Sequence, residues 1–161
     1  MADFVEAVMA LWQNPPSDAD AAERAFAELY TDPVPVNGTP FTCAALAARA
    51  QALNRAFEGL GHRILERVEI PGKLVIAFLM TGKHVGPLPT ALGEVPATGR
   101  DVAIRTIDVL TLTEGRISEV VVVADELGLL TGINAVALTT APDKTEAFGT
   151  DDRENLDDGT A

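Results

Sequence analysis

The stretch RDVAIRTIDVLTLTEGRISEVVVVADELGLL, residues 100–130, decides the fold. Its two halves are rich in β-branched and apolar residues, and they meet at Glu114-Gly115, a pair typical of a tight hairpin turn. The stretch therefore predicts two long antiparallel strands, followed by a short leucine-rich segment.

A two-residue turn fixes the register of this hairpin. It pairs Asp108 with Val121, and every second side chain then lies on the same face. One face would carry Ile104, Thr106, Asp108, Leu110, Ile117, Glu119, Val121, Val123 and Asp125. The other would carry Ala103, Arg105, Ile107, Val109, Ser118, Val120, Val122 and Ala124. Because both faces are largely apolar, we expect one to cover helices and the other to bind a second copy of the chain. The predicted assembly is a homodimer or homotetramer that forms through the outer sheet face.

The remainder of the chain places helices before strands. Apolar residues recur at helical spacing over residues 4–12, 18–30 and 42–57, with Thr42 as a candidate cap and glycines 59 and 61 as the end of the third helix. The period then changes to two at residues 62–70, and a further apolar strand follows. Helices followed by long strands indicate an α+β fold with a curved, mainly antiparallel sheet.

Length and charge limit the possible classes of protein. The chain has 161 residues, 47% of them apolar, which is enough for one domain with a real core. Its net charge of −12 argues against nucleic acid as a partner. Much of the acid lies in residues 139–161, which lack apolar periodicity. We therefore predict a domain at 1–138 and a disordered acidic tail at 139–161.

Cysteine and histidine are scarce. The single cysteine, Cys43, cannot form an internal disulfide, and two histidines without zinc spacing predict no metal site. The N-terminal segment has no basic region typical of a signal peptide, and no apolar run has membrane length. The sequence thus predicts a cytoplasmic protein that does not bind membranes.

Asp108 and Asp125 are the candidate proton carriers, because both fall on the predicted inner face of the hairpin. A carboxyl group in an apolar pocket has a raised pKa and can exchange protons near neutral pH. Other interpretations stay open. Asp125 before ELGLL also has the pattern of a helix N-cap, and Asp108 can be a structural hydrogen-bond partner. His62, at the start of a strand, is expected at the surface.

Four short motifs, LYTDPVPVNG, GKHVGPL, PATGRDVAIRTIDVLTLTEGRISE and VADELGLL, follow one another in this order. Together they resemble the SnoaL-like polyketide cyclases of the nuclear transport factor 2-like superfamily, over about residues 18–132. The resemblance implies a cone-shaped barrel, in which a curved, mainly antiparallel sheet wraps around three N-terminal helices and encloses a deep apolar pocket. It also implies a homo-oligomer that needs no metal or cofactor.

The function implied by this resemblance is an intramolecular aldol closure of a polyketide ester. In the family one aspartate at the end of the last long strand moves the proton, and VADELGLL places that residue at Asp125. His84 in GKHVGPL matches a histidine common in the family, which we place at the pocket. The other predicted substrate contacts are Asp108, Met80, Phe57, Thr106, Val121 and Val123.

Two alternatives accompany this reading. The scaffold also serves isomerases and epoxide hydrolases that use paired carboxylates, for which Asp32 or Glu58 beside one of the aspartates would be the sign. A module that only holds an apolar ligand is the other alternative. This chain has Glu119-Val120-Val121 where relatives often have Glu-His-Trp, which predicts a wider pocket without an indole donor.

Overall fold

Helices occupy the first third of the chain and strands most of the rest. The computed structural model describes residues 3–137 and residue 139. Its elements are α1 (Phe4–Gln13), α2 (Ala19–Leu29), β1 (Val34–Val36), β2 (Thr39–Phe41), α3 (Cys43–Ala56), β3 (Phe57–Ile70), β4 (Lys73–His84), β5 (Leu88–Thr90), β6 (Gly93–Val95), β7 (Asp101–Thr113), β8 (Arg116–Ala124) and α4 (Glu126–Gly132). Except for residue 139, the predicted acidic tail lies outside the described residues.

The three N-terminal helices begin where the sequence provides a cap. The side chains of Asp3, Asp18 and Thr42 each accept a hydrogen bond from a backbone N–H in the first turn of their helix. Each cap satisfies one of the N–H groups that a helix start leaves without an intrahelical partner. The predictions of three helices and of the Thr42 cap are confirmed.

The third helix ends earlier than predicted. It stops at Ala56, and Phe57 is the first residue of β3 rather than part of the helical stripe. Phe57 pairs with His84 on β4, and this pairing outweighs the local helical periodicity. The two glycines are therefore strand residues. Gly59 takes a φ of +63°, and the β3–β4 register shifts between Glu58 and Gly61.

The main sheet has six strands in the order β2-β1-β8-β7-β4-β3. Its neighbouring strands are antiparallel except for the parallel contact of β1 with β8. This confirms the α+β class with a curved, mainly antiparallel sheet. The sheet is not closed into a barrel, because β2 and β3 form its two edges. A separate hairpin of β5 and β6 lies between β4 and β7 along the chain.

One face of the sheet, which we call the inner face, packs on the helices. A first core cluster joins Leu74, Ile76, Phe78, Leu110, Ile117 and Val120 of the sheet to residues of α1, α2 and α3. A second cluster joins Phe57, Val102 and Ile104 to Leu88 and to Leu130 and Ile133 from α4 and its C-terminal end. Met80 packs against both clusters. The inner face is thus closed by the N-terminal helices at one end and by α4 and β5 at the other.

The β7–β8 hairpin contains a bulge that the sequence analysis did not predict. Thr113 pairs with Arg116 as expected, but Thr111 pairs with Glu119, so Ser118 is an extra residue on β8. The Ser118 hydroxyl donates to the Thr111 carbonyl oxygen at 3.3 Å and lies 2.9 Å from the Thr113 hydroxyl. These hydrogen bonds hold the extra residue in place.

The bulge reverses the faces of the remainder of β8. Asp108 pairs with Val122 instead of Val121, and Thr106 pairs with Ala124 instead of Val123. The predicted register is therefore correct next to the turn and wrong past Ser118, because a one-residue slip moves every later side chain to the opposite face. Val121 and Val123 are 46% and 68% exposed on the opposite side of the sheet, which we call the outer face.

Candidate functional site

Asp108 is an acidic residue in the middle of an otherwise apolar run. It lies on the inner face of β7 between Thr106 and Leu110, and its cross-strand partners are Ile76 and Val122. Among the described residues, its Oδ1 atom is buried and has no hydrogen-bond partner. Burial raises the pKa of this carboxyl group to about 6. The expected raised pKa on the inner face is therefore found at Asp108.

Asp125 has a different environment. It follows β8 and is the N-cap of α4, where its Oδ1 accepts a hydrogen bond from the Gly128 N–H at 2.8 Å. The residue is exposed. A Cβ at position 128 would collide with the Asp125 carboxylate, so glycine makes room for this cap. The helix-cap interpretation is confirmed, whereas the catalytic role implied by the resemblance stays a prediction.

The structure does not bring the two aspartates into one buried site. The strand partner of Asp108 is Val122, and Asp125 lies three residues further along the chain. At about 3.3 Å per residue, this places the two about 10 Å apart along the strand direction. The Asp108 carboxyl group is held among apolar side chains, whereas the Asp125 carboxyl group lies at an exposed helix start. The two therefore differ in how well water solvates them.

His84 lies at the end of β4 and is completely buried. Its Nδ1 is 2.9 Å from the Thr98 hydroxyl, and its ring centroid is 5.7 Å from that of Phe57. In the part of the chain that the structure describes, its Nε2 is buried without a hydrogen-bond partner. His84 is therefore an interior residue, and its predicted place at a substrate pocket stays a prediction.

Most of the predicted contact residues share the inner face. Phe57 and Thr106 are 2% and 8% exposed, and Met80 is partly buried between the two core clusters. With His84 and Asp108 they form a row on β3, β4 and β7. Val121 and Val123 do not join this row, since they lie on the outer face. The row runs from Asp108 in the middle of β7 to His84 at the end of β4 and its partner Phe57 on β3.

His62 is not the surface residue that the sequence suggested. Its ring is 5.4 Å from that of Phe78, and within the described chain its Nδ1 is buried without a partner. Burial lowers the pKa of this imidazole. The residue lines an open cavity of about 280 Å³ between α1 and β3. A second cavity of about 340 Å³ lies between the β5–β6 hairpin and residues 130–136.

Tyr30, the C-cap of α2, falls within the range predicted for the second helix, residues 18–30, but it lies beside the candidate site. The Trp12 Nε1–H donates a hydrogen bond to its hydroxyl oxygen at 2.9 Å. Burial raises the pKa of Tyr30, and the negative charge of Asp108 raises it further. A tyrosine at the end of an apolar stripe needs a partner for its hydroxyl, and this is the signal that could have identified it.

The carboxylates expected for the alternative reactions lie elsewhere. Asp32 and Glu58 are both exposed, and Asp32 accepts a hydrogen bond from the Cys43 N–H at 3.4 Å. Among residues 3–137 and 139, no group of three or more His, Cys, Asp or Glu side chains is placed to hold a metal ion. None of the helices within these residues is long and apolar enough to cross a membrane.

Several solved structures share the fold of this chain. TsrD from Streptomyces laurentii is 21% identical with a TM-score of 0.68, and the match covers 83% of this chain and 93% of TsrD. IdmH from Streptomyces antibioticus, for which a polyketide cyclase activity has been proposed, is 15% identical with a TM-score of 0.64 and coverages of 83% and 97%. AclR from Streptomyces galilaeus, for which a hydroxylase activity has been proposed, is 16% identical with a TM-score of 0.64 and coverages of 83% and 95%.

At these identities the similarity shows the fold alone, and one scaffold carries more than one proposed activity. No protein of the curated set matches the chain. A sequence model of the SnoaL-like polyketide cyclases, however, matches residues 2–133. Since this match covers most of the 161 residues, the chain belongs to the SnoaL-like polyketide cyclase family.

Proposed function

We propose that this protein is a cofactor-independent enzyme that closes a ring in a polyketide-derived carbonyl or ester substrate by an intramolecular aldol-type reaction. Family membership supports a cyclase-like role. The observation that carries the chemical step is the Asp108 carboxyl group, which is partly buried on the inner face with its Oδ1 unpartnered in the described chain. A pKa of about 6 gives this group both protonation states near neutral pH.

The proposed reaction needs one proton carrier. The Asp108 carboxylate takes a proton from a methylene between two carbonyl groups, and the C–H electron pair forms an enolate. The enolate carbon attacks a second carbonyl of the same molecule, so that a carbon–carbon bond forms and the attacked oxygen becomes an alkoxide. Asp108 returns its proton to this alkoxide and is ionised again for the next cycle. No electron or proton is gained or lost overall.

The surroundings of Asp108 support this chemistry in two ways. Ile76 and Leu110 are 0% and 2% exposed, so the carboxylate faces apolar walls that weaken its hydration and strengthen it as a base. The row of Met80, Thr106 and Phe57 extends from Asp108 along the inner face. A folded substrate held along this row would bring its two carbonyl groups together, which lowers the entropic barrier to ring closure.

The resemblance to the family assigns proton transfer to Asp125 instead, and the two aspartates can be separated by experiment. Asp108→Asn and Asp125→Asn are compared with wild type on a panel of linear polyketide methyl esters. Methylene hydrogen–deuterium exchange and the cyclised product are followed. Asparagine is as good an N-cap as aspartate, so the second change preserves α4. Asp101→Asn, at the exposed start of the same strand, is the matched control.

We expect Asp108→Asn to lower exchange and turnover by ~100-fold or more, as for loss of a general base. Asp125→Asn and Asp101→Asn should stay within about threefold of wild type. If Asp125→Asn lowers exchange and turnover more than Asp108→Asn does, the catalytic role belongs to Asp125. If wild type turns over neither the esters nor a set of epoxides, but binds them, the protein is a module that holds apolar ligands.

We further propose that the enzyme works in the cytoplasm as a homodimer or homotetramer. The outer face supports self-association, because it presents apolar side chains where a monomer would present polar ones. Ile107, Val121 and Val123 are 46%, 46% and 68% exposed there.

A further inference from the structure

The Tyr30 hydroxyl has an unused hydrogen-bond donor. It accepts the hydrogen bond from Trp12, and within the described chain it donates none. Tyr30 is 4% exposed, so water does not readily supply the missing acceptor. A buried hydroxyl that is held as an acceptor on one side has its proton available on the other. An unpaired buried donor is costly, and each one in a native structure calls for an explanation, of which a catalytic role is one.

Asp108 lies in the same part of the interior. Tyr30 belongs to the first core cluster, together with Ile76 and Leu110, the cross-strand partner and strand neighbour of Asp108. Burial raises the pKa of Tyr30 most, and the negative charge of Asp108 raises it further. The two groups are nonetheless not hydrogen-bonded to each other, since the buried Oδ1 of Asp108 has no partner among the described residues. An unused donor and an unpartnered carboxyl oxygen thus lie near each other without touching.

We propose that Tyr30 is a second catalytic residue of the proposed cyclase, donating a hydrogen bond to the substrate carbonyl oxygen that becomes the enolate while Asp108 moves the proton. The inference rests on the proposed function. The arrangement fits the 1,3-dicarbonyl unit of the proposed reaction, because the central methylene offers its acidic C–H to Asp108 while one of the flanking carbonyl oxygens faces Tyr30.

The step balances without another reactant. Asp108 takes the proton from the methylene carbon, and the carbonyl electrons move onto the oxygen that faces Tyr30. Tyr30 keeps its proton throughout, since burial opposes the formation of a tyrosinate. The hydrogen bond from the Tyr30 hydroxyl to the substrate oxygen becomes stronger as negative charge develops on that oxygen. It therefore stabilises the transition state more than the ground state. When the new carbon–carbon bond forms, the carbonyl returns and Tyr30 is unchanged.

Trp12 has a positioning role in this arrangement. Its indole N–H fixes the orientation of the Tyr30 hydroxyl at 2.9 Å, and its ring lies edge-on to Phe26 at a centroid distance of 5.4 Å. Phe26 in turn packs against the Tyr30 ring at 5.7 Å. The aromatic contacts therefore hold both members of the hydrogen bond before any ligand arrives.

The first measurement does not depend on turnover, because Tyr30 is the single tyrosine of the chain. Protein labelled with ¹³C at the tyrosine Cζ gives one ring-carbon resonance, which is followed across the pH range in which Asp108 titrates. We expect its shift to titrate with the Asp108 pKa of about 6 in wild type and in Asp101→Asn. The titration should vanish in Asp108→Asn. A resonance that does not respond to Asp108 would overturn the proposed proximity.

The second measurement uses 2-naphthol as a mimic of the enol. Tyr30→Phe should weaken naphthol binding at least about tenfold and lower kcat for proton exchange more than it raises KM, since the hydrogen bond is strongest in the transition state. Tyr30→Phe also leaves the Trp12 N–H unpaired, so the double variant Trp12→Phe/Tyr30→Phe is the matched control. The double variant should recover thermal stability but not binding or exchange.

The outcomes separate this inference from the proposed function. If Asp108→Asn abolishes exchange while Tyr30→Phe leaves both exchange and naphthol binding unchanged, the cyclase stands and the role of Tyr30 is overturned. Recovery of exchange in the double variant would equally overturn it, because the hydroxyl would then matter only for packing. The expected result is weaker naphthol binding and slower exchange in both Tyr30→Phe and the double variant.

Discussion

The carboxyl group of Asp108 lies where its surroundings oppose ionisation. Burial on the inner face raises its pKa to about 6, whereas in an unfolded chain an aspartate has a pKa of about 3.9. Between these two values the folded protein binds more protons than the unfolded chain. The free energy of unfolding therefore falls as pH rises through this window. A shift of about two pKa units corresponds to roughly 3 kcal/mol lost above pH 7 and regained below pH 4.

Replacing Asp108 by asparagine removes this titration while keeping the shape of the side chain. We expect Asp108→Asn to be more stable than wild type by about 2–3 kcal/mol near pH 8, with the difference shrinking to a few tenths near pH 4. Urea unfolding of both proteins at the two pH values measures it. Asp101→Asn, at an exposed position on the same strand, should show no such pH-dependent gain. A gain for Asp108→Asn that is equal at both pH values would contradict a buried, titrating carboxyl group.

A stabilising substitution that abolishes activity is the expected signature of a functional residue. A residue selected for stability would not be a poorly hydrated acid among Ile76, Leu110 and Val122. Stability is often sacrificed where a strained or desolvated group does chemistry. The stability of Asp108→Asn thus complements the activity comparison of the two aspartates.

At the level of single elements, α4 depends on one carboxylate. The Asp125 side chain caps the helix, and Leu130 and Ile133 from its C-terminal end fill the second core cluster. We expect Asp125→Ala to lower the free energy of unfolding by about 1 kcal/mol, whereas Asp125→Asn changes it by a few tenths, because asparagine caps equally well. Urea unfolding of the two variants measures this difference.

A matched control for the cap is Leu127→Ala, one of the first residues of the same helix and 70% exposed. It changes the side chain without touching the cap and should leave stability within about 0.5 kcal/mol of wild type. If asparagine at position 125 destabilises the protein as much as alanine does, the contribution comes from the charge of Asp125 and not from its hydrogen bond.

The sequence predicted those elements that depend on local signals. The three N-terminal helices, the Thr42 cap and the turn at Glu114-Gly115 follow from spacing and cap chemistry over a few residues. The Ser118 bulge was missed because it depends on hydrogen bonds to Thr111 and Thr113 across the hairpin. Past the bulge, each residue of β8 lies on the face opposite to the predicted one. Val121 and Val123 were therefore predicted on the inner face but lie on the outer face.

The candidate site was predictable in part for the same reason. Asp108 was placed correctly on the inner face, since β7 alternates regularly from Val102 to Leu110. The role of Tyr30 was missed because its hydrogen bond joins α1 to the end of α2, residues 18 positions apart. Local periodicity assigns such a residue to the core but does not show which polar group of another element meets it.

At the scale of the whole molecule, the outer face is the feature that a single chain leaves unexplained. Five large apolar residues there are between 46% and 68% exposed: Val68, Ile70, Ile107, Val121 and Val123. Exposed apolar surface that runs across several strands is typical of an interface. The same face carries Arg105 and Glu119, both exposed, so two copies related by a two-fold axis can pair a cation of one with an anion of the other.

We therefore predict that the protein forms a homodimer or homotetramer in solution through this face and that Val123→Glu shifts it toward the monomer. Glutamate at a position 68% exposed in a single chain costs little in the monomer but places a buried charge in the interface. Size-exclusion chromatography with light scattering distinguishes the 17.0 kDa monomer from its multiples. The melting temperature of wild type should rise with protein concentration, and that of Val123→Glu should not.

Leu92→Glu is the matched control for this surface. Leu92 is 79% exposed in the turn between β5 and β6, away from the outer face, so the same substitution there should leave the assembly unchanged. A wild-type protein that runs as a monomer over roughly a hundredfold range of concentration would contradict the interface. If both variants dissociate the assembly, the contact involves the β5–β6 hairpin as well. If neither variant does, the copies meet elsewhere, and the apolar outer face needs another partner.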